Sequence, residues 1–215
     1  MSNSLTTLIS KTQLLLGDSG TIFTTATVTA AIRQALAEFN LRAPQFAAVT
    51  IAGIDDQYEY ELSDEDPLAV KIIDVLQQGE DQDELDIPLT YDDYIEDERV
   101  FFRLRAPITT SDTLIVRYTL DHIINGLDSQ VESTILARHD QVIVDGACYW
   151  CINIRATARV ESINLSKDQS DNYREIMRAF RSAFELGMSE AARKRAPVGE
   201  PDPRAWNDQY HKWAQ

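Results

Sequence analysis

The sequence predicts an α+β protein, mainly α: a helical bundle of two short and two long helices, an inserted antiparallel β lobe and an extended C-terminal arm. Three observations predict it. Apolar residues recur at helical spacing towards both ends of the chain, they alternate with period two in the middle, and the stretch from Ala196 opens on a cluster of prolines. The corresponding boundaries are 1–45 with 127–195 for the helical bundle, 46–126 for an acidic β-rich insertion, and 196–215 for the arm. The chain has 215 residues, 44% of them hydrophobic, which is enough apolar material to bury a core.

Between Leu5 and Leu16 the apolar positions are 5, 8, 9, 14, 15 and 16, with Ser4 as the candidate N-cap and Gly17 as the stop. Thr24 or Thr25 then caps a second helix, whose stripe is Val28, Ala31, Ile32, Ala35, Leu36 and Phe39. It ends before Pro44, which disfavours helical geometry at Ala43. Beyond Pro44 the period becomes two. Val49 and Ile51, then Tyr58 and Tyr60, read as a hairpin joined by Gly53-Ile54-Asp55-Asp56. Val70 to Leu76 is a further strand, and Gln77 to Asp86 has almost nothing to bury and reads as a loop. Val100–Leu104 and Leu114–Tyr118 read as a second hairpin turning near Pro107 to Asp112, giving a sheet of about four to six strands.

Helical periodicity returns after Gly126. Asp128 or Ser129 would cap a helix from about Val131 to Ser162, whose apolar positions include Ile135, Val142, Ile143, Ala147, Trp150, Cys151, Ile154 and Ala158. A second long helix, from about Lys167 to Arg195, carries the stripe Tyr173, Ile176, Met177, Phe180, Phe184, Gly187 and Met188. The short link around Asn164 to Ser166 predicts that the two pack as an antiparallel hairpin.

The net charge is −15, from 35 acidic and 20 basic residues. It is concentrated: Asp55 to Glu98 holds 18 acidic residues and one basic residue, Lys71, for −17, and the remainder is +2. Such a block reads as a solvated surface that repels other acidic surfaces, with a cation site or a designed repulsion of nucleic acid as alternatives. The surplus argues against a protein that grips DNA through its phosphates. No apolar run approaches the length of a membrane span, and Met1-Ser2-Asn3-Ser4 lacks the basic region and apolar core of a secretory signal. The two cysteines do not make a disulfide framework, so a reducing cytosol is expected.

Signals for chemistry are weak. Cys148-Tyr149-Trp150-Cys151 has redox spacing, yet lies mid-pattern in a helix among apolar neighbours, so buried inert thiols are expected. A zinc site would need two more ligands, and His122, His139 and His211 stand at no recognised spacing. Asp55-Asp56, Asp64-Glu65-Asp66 and the run Asp81 to Asp86 miss the calcium-loop pattern; with Asp81 as the first position, the fifth is Leu85 and the sixth is Asp86. Paired carboxylates of glycosidase type would have to come from this polar run, where nothing suggests an enclosed pocket. There is no G-x-S-x-G, no phosphate-cradling glycine loop and no H-E-x-x-H. No catalytic residue, metal or cofactor is expected.

Two features point instead to partners. In the arm, Trp206, Tyr210 and Trp213 fall at i, i+4 and i+7, one face of a helix, as aromatic anchors for another chain or for the arm's own subunit. At the end of the last long helix, Arg193-Lys194-Arg195 either complements the helix dipole or latches to an acidic partner surface. Within the acidic lobe, Asp81, Asp83, Glu84 and Asp86 are the residues placed on a channel or outer surface.

The layout resembles a family of tailed-phage and prophage head-to-tail connector (adaptor) proteins. The resemblance lies in Leu14-Leu15-Leu16-Gly17-Asp18, Ile22-Phe23-Thr24-Thr25, the run Ala30 to Phe39, Tyr58-Glu59-Tyr60-Glu61-Leu62, Gly146-Ala147 within a long helix, and Tyr173 through Phe184. It covers most of residues 1–195. It implies a structural, non-enzymatic virion protein, assembled in the host cytoplasm into a ring of about a dozen copies beneath the portal, with tail or tail-completion proteins on its other side. The arm around Trp206, Tyr210 and Trp213 would then dock on the portal. DNA would pass through the ring without specific binding, and no membrane is involved. The competing expectation is an acidic interaction protein that mimics nucleic acid and occupies a basic groove; a small hydrolase using acidic residues ranks below both.

Overall fold

The computed structural model describes residues 4–18, 20–62, 69–78, 86–97, 99–127, 132–160 and 167–193, and for 158–160 and 167–170 the backbone only. The fold is α+β. Two compact units arise, one within Met1–Ala43 and His122–Gln215, the other within Pro44–Asp121.

The first unit is helical. α1 (Leu5–Leu15) ends in a Schellman turn. Asp18 N–H donates to Gln13 O at 3.0 Å and Gly17 N–H to Leu14 O at 3.1 Å, with Gly17 at φ 62°. Glycine suits that left-handed position because it has no Cβ to clash. The sequence stripe puts Leu14, Leu15 and Leu16 together on the buried side, and the structure corrects this: Leu14 is 80% and Leu15 48% exposed, and Leu16 alone packs against the core. Adjacent helical residues point about 100° apart, so three in a row cannot share one face. Thr12 is buried in their stead, its hydroxyl donating to Leu8 O at 2.8 Å.

α2 (Thr25–Arg42) follows expectation. Thr24 caps it by accepting Thr27 N–H at 3.3 Å, and all six stripe residues are buried. α3 (Asp140–Val160) starts later than Val131. Ser133 and Thr134 accept backbone N–H groups of Asn125 and Ile123 through their hydroxyls, at 2.9 and 3.0 Å, and Thr134 N–H donates back to Ile123 O at 3.1 Å. Hydroxyl side chains that bond backbone in this way offer an alternative to helix, so only the short 3₁₀ turn Ala137–His139 precedes α3. The expected caps, Asp128 and Ser129, lie outside the described residues.

α4 (Lys167–Arg193) packs antiparallel to α3: Val142 lies against Gly187, and Gly146 against Phe184. A Cβ on Gly146 would stand 2.8 Å from both Ala35 Cβ and Phe184 Cε2, and one on Gly187 2.6 Å from Val142 Cγ2. These glycines therefore set how closely α2, α3 and α4 approach. Phe184, Met188 and Ala191 are buried, but earlier in α4 Phe180 is only partly covered and Ile176 is 48% exposed. The α4 stripe is thus core only in its second half.

Among the described residues the second unit holds seven strands in two antiparallel sheets. Sheet order is β1-β7-β3-β4 in one, from Gln45–Ala52, Thr113–Leu120, Ala69–Gln77 and Ile87–Pro88. It is β2-β6-β5 in the other, from Glu59–Glu61, Arg99–Leu104 and Tyr91–Glu96. Inward residues of both sheets, including Tyr60, Leu62, Ile72, Val75, Phe102, Val116 and Tyr118, form a single core. Neither predicted hairpin forms. β1 pairs with β7 rather than β2, and β6 pairs with β2 and β5 rather than β7. Gly53 N–H donates to Asp112 O at 2.9 Å, extending the β1–β7 ladder into the turn before β7, so the chain cannot fold back there onto β2. The β5–β6 hairpin, Glu96 opposite Arg99 with Asp97 at φ 50°, was hidden in the acidic run.

Phe184→Ala should destabilise the helical unit by about 3–5 kcal/mol, as expected for a large buried aromatic, and Phe180→Ala by distinctly less. Chemical denaturation followed by helical circular dichroism measures both; equal losses would contradict the burial described.

Candidate interaction surfaces

The β unit, Pro44–Asp121, contains 20 acidic and five basic residues, so the entire net −15 of the chain resides there and the helical unit is neutral overall. The four arginines between 99 and 117 moderate the −17 read along the sequence. Arg99 pairs with Glu61 at 3.1 Å, Arg105 with Asp92 at 3.0 Å and Arg117 with Asp74 at 3.8 Å. The Arg105 hydrogen bond and charge hold the Asp92 carboxyl below its ordinary range. Asp112 is likewise lowered, chiefly by Thr109 N–H, then by the Thr109 hydroxyl and Gln77. The three ion pairs each join neighbouring strands, β6 to β2, the end of β6 to β5, and β7 to β3, and surface pairs of this kind are worth little individually.

Of the acidic residues singled out in the sequence, Asp86 is exposed immediately before β4, and Asp81, Asp83 and Glu84 lie outside the described residues. Asp64-Glu65-Asp66 also lies outside. Asp55 accepts Thr110 N–H at 2.7 Å, so its carboxylate anchors the turn beside Gly53. Among the described residues no three His, Cys, Asp or Glu side chains converge where a metal ion could be held. No helix among them is long and apolar enough to cross a membrane.

In the helical unit the charges act as clamps. Glu38 on α2 accepts Trp150 Nε1–H from α3 at 2.9 Å and Arg181 from α4 at 2.6 Å, and Arg181 also reaches Glu185 at 2.8 Å. Arg181 lies over the Tyr149 and Phe184 rings, 5.1 and 5.8 Å from their centroids. Burial opposes its charge, the two carboxylates outweigh that, and its pKa rises. Lys11 on α1 pairs with Asp140 at the start of α3 at 2.7 Å. Neither clamp was anticipated: a charged residue announces no particular partner, and these lie more than a hundred positions apart. Arg193 is exposed as the last residue of α4, whereas Lys194, Arg195, Trp206, Tyr210 and Trp213 lie outside the described residues.

Cys148 and Cys151 are both free and fully buried. They sit in the third and fourth turns of α3, away from its positive N-terminal end. Burial pushes both thiols up, Cys151 to about 12, with Cys148 raised further by the neighbouring Cys151 and Asp145. Such thiols are poor nucleophiles. At pH 8 a thiol-reactive dye should leave both unmodified in the native protein and label both after unfolding. Because unfolded thiols ionise near pH 8.5 and the native ones do not, stability should fall as pH rises beyond that value. Rapid native labelling would refute the burial.

No protein-family model and no curated protein matches the chain. Among solved structures, it is similar to a chain in the neck of an empty GTA particle computed with C6 symmetry. The identity is 12% and the TM-score 0.29, over 66% of this chain and 75% of that one.

Proposed function

We propose that this protein is a structural subunit of the head-to-tail connector of a tailed-phage or prophage-like particle. It assembles as a ring between portal and tail components, with a channel for DNA, and performs no covalent chemistry. One observation carries the reading. Three of the positions that resemble the connector family, Ala35 of the Ala30–Phe39 run, Gly146 of Gly146-Ala147, and Phe184 at the end of the Tyr173–Phe184 run, meet at the one crossing that holds α2, α3 and α4 together, while others such as Leu14, Ile22 and Ile176 are exposed.

In this reading the helical unit is the rigid body of the subunit, and the arm, 196–215, docks on the portal through Trp206, Tyr210 and Trp213. Arg193, Lys194 and Arg195 flank that arm as a positive latch for an acidic surface. The acidic unit supports a channel through which DNA moves without being held, because carboxylates repel phosphate at short range.

Deleting residues 197–215 should leave the thermal unfolding of the helical unit unchanged and abolish co-sedimentation with purified portal rings. Normal co-sedimentation of the truncated chain would overturn the arm's role. Failure of the intact chain to bind portal, with no connector density in particles made in its presence, would overturn the connector reading.

A further inference from the structure

A sheet edge exposes a row of backbone donors and acceptors, and proteins blunt edges with short strands, prolines or charges. Among the described residues, three of the four edges in the β unit are blunted. β4 is two residues, one of them Pro88; β2 is three residues; and β5 carries Asp92, Asp93 and Glu96. β1 is not. It runs eight residues, Gln-Phe-Ala-Ala-Val-Thr-Ile-Ala, with no charge, proline or glycine. Among the described residues it has β7 on one side and no strand on the other.

The residues facing the open side follow from the register. Gly53 N–H bonds to Asp112 O directly in line with the β1–β7 pairing, so the hydrogen-bonded pairs of this ladder fall on odd positions of β1. Backbone direction alternates along a strand. Phe46, Ala48, Thr50 and Ala52 therefore aim their N–H and C=O groups away from β7. Their side chains lie on the exposed face, with Phe46 50% exposed.

We propose that β1 pairs antiparallel with β1 of a second copy of this chain, about a two-fold axis at Val49. In that register Phe46 opposes Ala52 and Ala48 opposes Thr50, each pair exchanging two backbone hydrogen bonds, and the two four-stranded sheets become one. A second copy fits for two reasons. Large side chains meet small ones and no charge meets a like charge, whereas the β5 edge would set aspartates against aspartates. Asp74 on β3 is also held far from its counterpart. β3 is two strands in from the edge, so the two β3 strands stand five strand spacings apart, about 24 Å. That is three times the ~8 Å over which charges act at physiological salt. The neutral edge is where two such acidic units approach with least repulsion. This inference rests on the β unit alone and not on the connector reading.

Light scattering after size exclusion, with sedimentation equilibrium over a concentration series of the full chain, tests it. The wild type should move from monomer to dimer mass as concentration rises. Thr50→Pro removes an N–H that points outward and should give a monomer with unchanged β unfolding, whereas Val49→Pro breaks the β7 ladder and should unfold the unit. If Thr50→Pro also unfolds, charge pairs carry the test: A48K/T50K should be monomeric. A48E/T50K, which sets the introduced carboxylate of one copy against the introduced ammonium of the other, should dimerise again. A wild type that is monomeric throughout, or a dimer or ring that survives both Thr50→Pro and A48K/T50K, overturns the proposal. A ring of that kind leaves the connector reading standing, and a β1 dimer that ignores portal overturns the connector reading alone.

Discussion

The helical unit depends on a missing side chain. At Gly146 the backbone of α3 comes so close to Ala35 and Phe184 that a methyl group would not fit, and Gly187 makes the matching concession on α4 to Val142. Glycine within a helix costs about 1 kcal/mol relative to alanine, and two of them are tolerated because the close approach they permit is repaid in packing. α3 consequently lies against α1, α2 and α4, and from Val142 to Cys148 only Asp145 escapes burial. Charges beside so enclosed a helix must be matched. That is why Lys11 meets Asp140 at its start, and why Glu38 collects Trp150 and Arg181 from two other helices further along.

The same logic explains which elements were legible in the sequence. The α2 stripe could be read residue by residue because one continuous face is buried and every position on it is aliphatic, small or aromatic. α4 shows the limit of periodicity. Tyr173, Ile176 and Met177 repeat the pattern of Phe184 and Met188, and periodicity reports that a helix has an apolar face, not how much of it finds cover. The start of α3 was misplaced for a different reason: Ser133 and Thr134 bond backbone groups of 123–125, a pairing no local window contains. In the β unit, alternation located β1, β3, β6 and β7 correctly. Alternation is the same whether the partner strand is next in sequence or seventh, so both hairpins were mispaired. β5 was invisible because its half-buried residues, Tyr91 and Tyr94, stand three apart with two aspartates between them.

Among candidate site residues the pattern was similar. The inert character of Cys148 and Cys151 followed from their apolar neighbours, since desolvation depends mostly on what surrounds a group along and across one helix. The acidic surface was legible as composition but not as geometry. Arg99, Arg105 and Arg117 lie downstream of the acidic run and return to it only once the strands pair. The open edge of β1 carried one signal, an uncharged run of eight residues bordering the most charged stretch of the chain.

The segregation of charge between the two units constrains any assembly this protein forms. A surface carrying the whole −15 cannot contribute attractive contacts to an identical surface, and within one Debye length it repels nucleic acid as well. Copies that associate must therefore meet through the neutral helical unit, through a basic patch such as that beginning at Arg193, or along a strand edge from which charge is absent. The first two suit a head-to-tail contact that closes into a ring, because each joins unlike surfaces; the third joins like to like and stops at two. An acidic unit that is poor glue everywhere except at one uncharged edge limits the ways copies can stick, and so favours ordered assembly over aggregation.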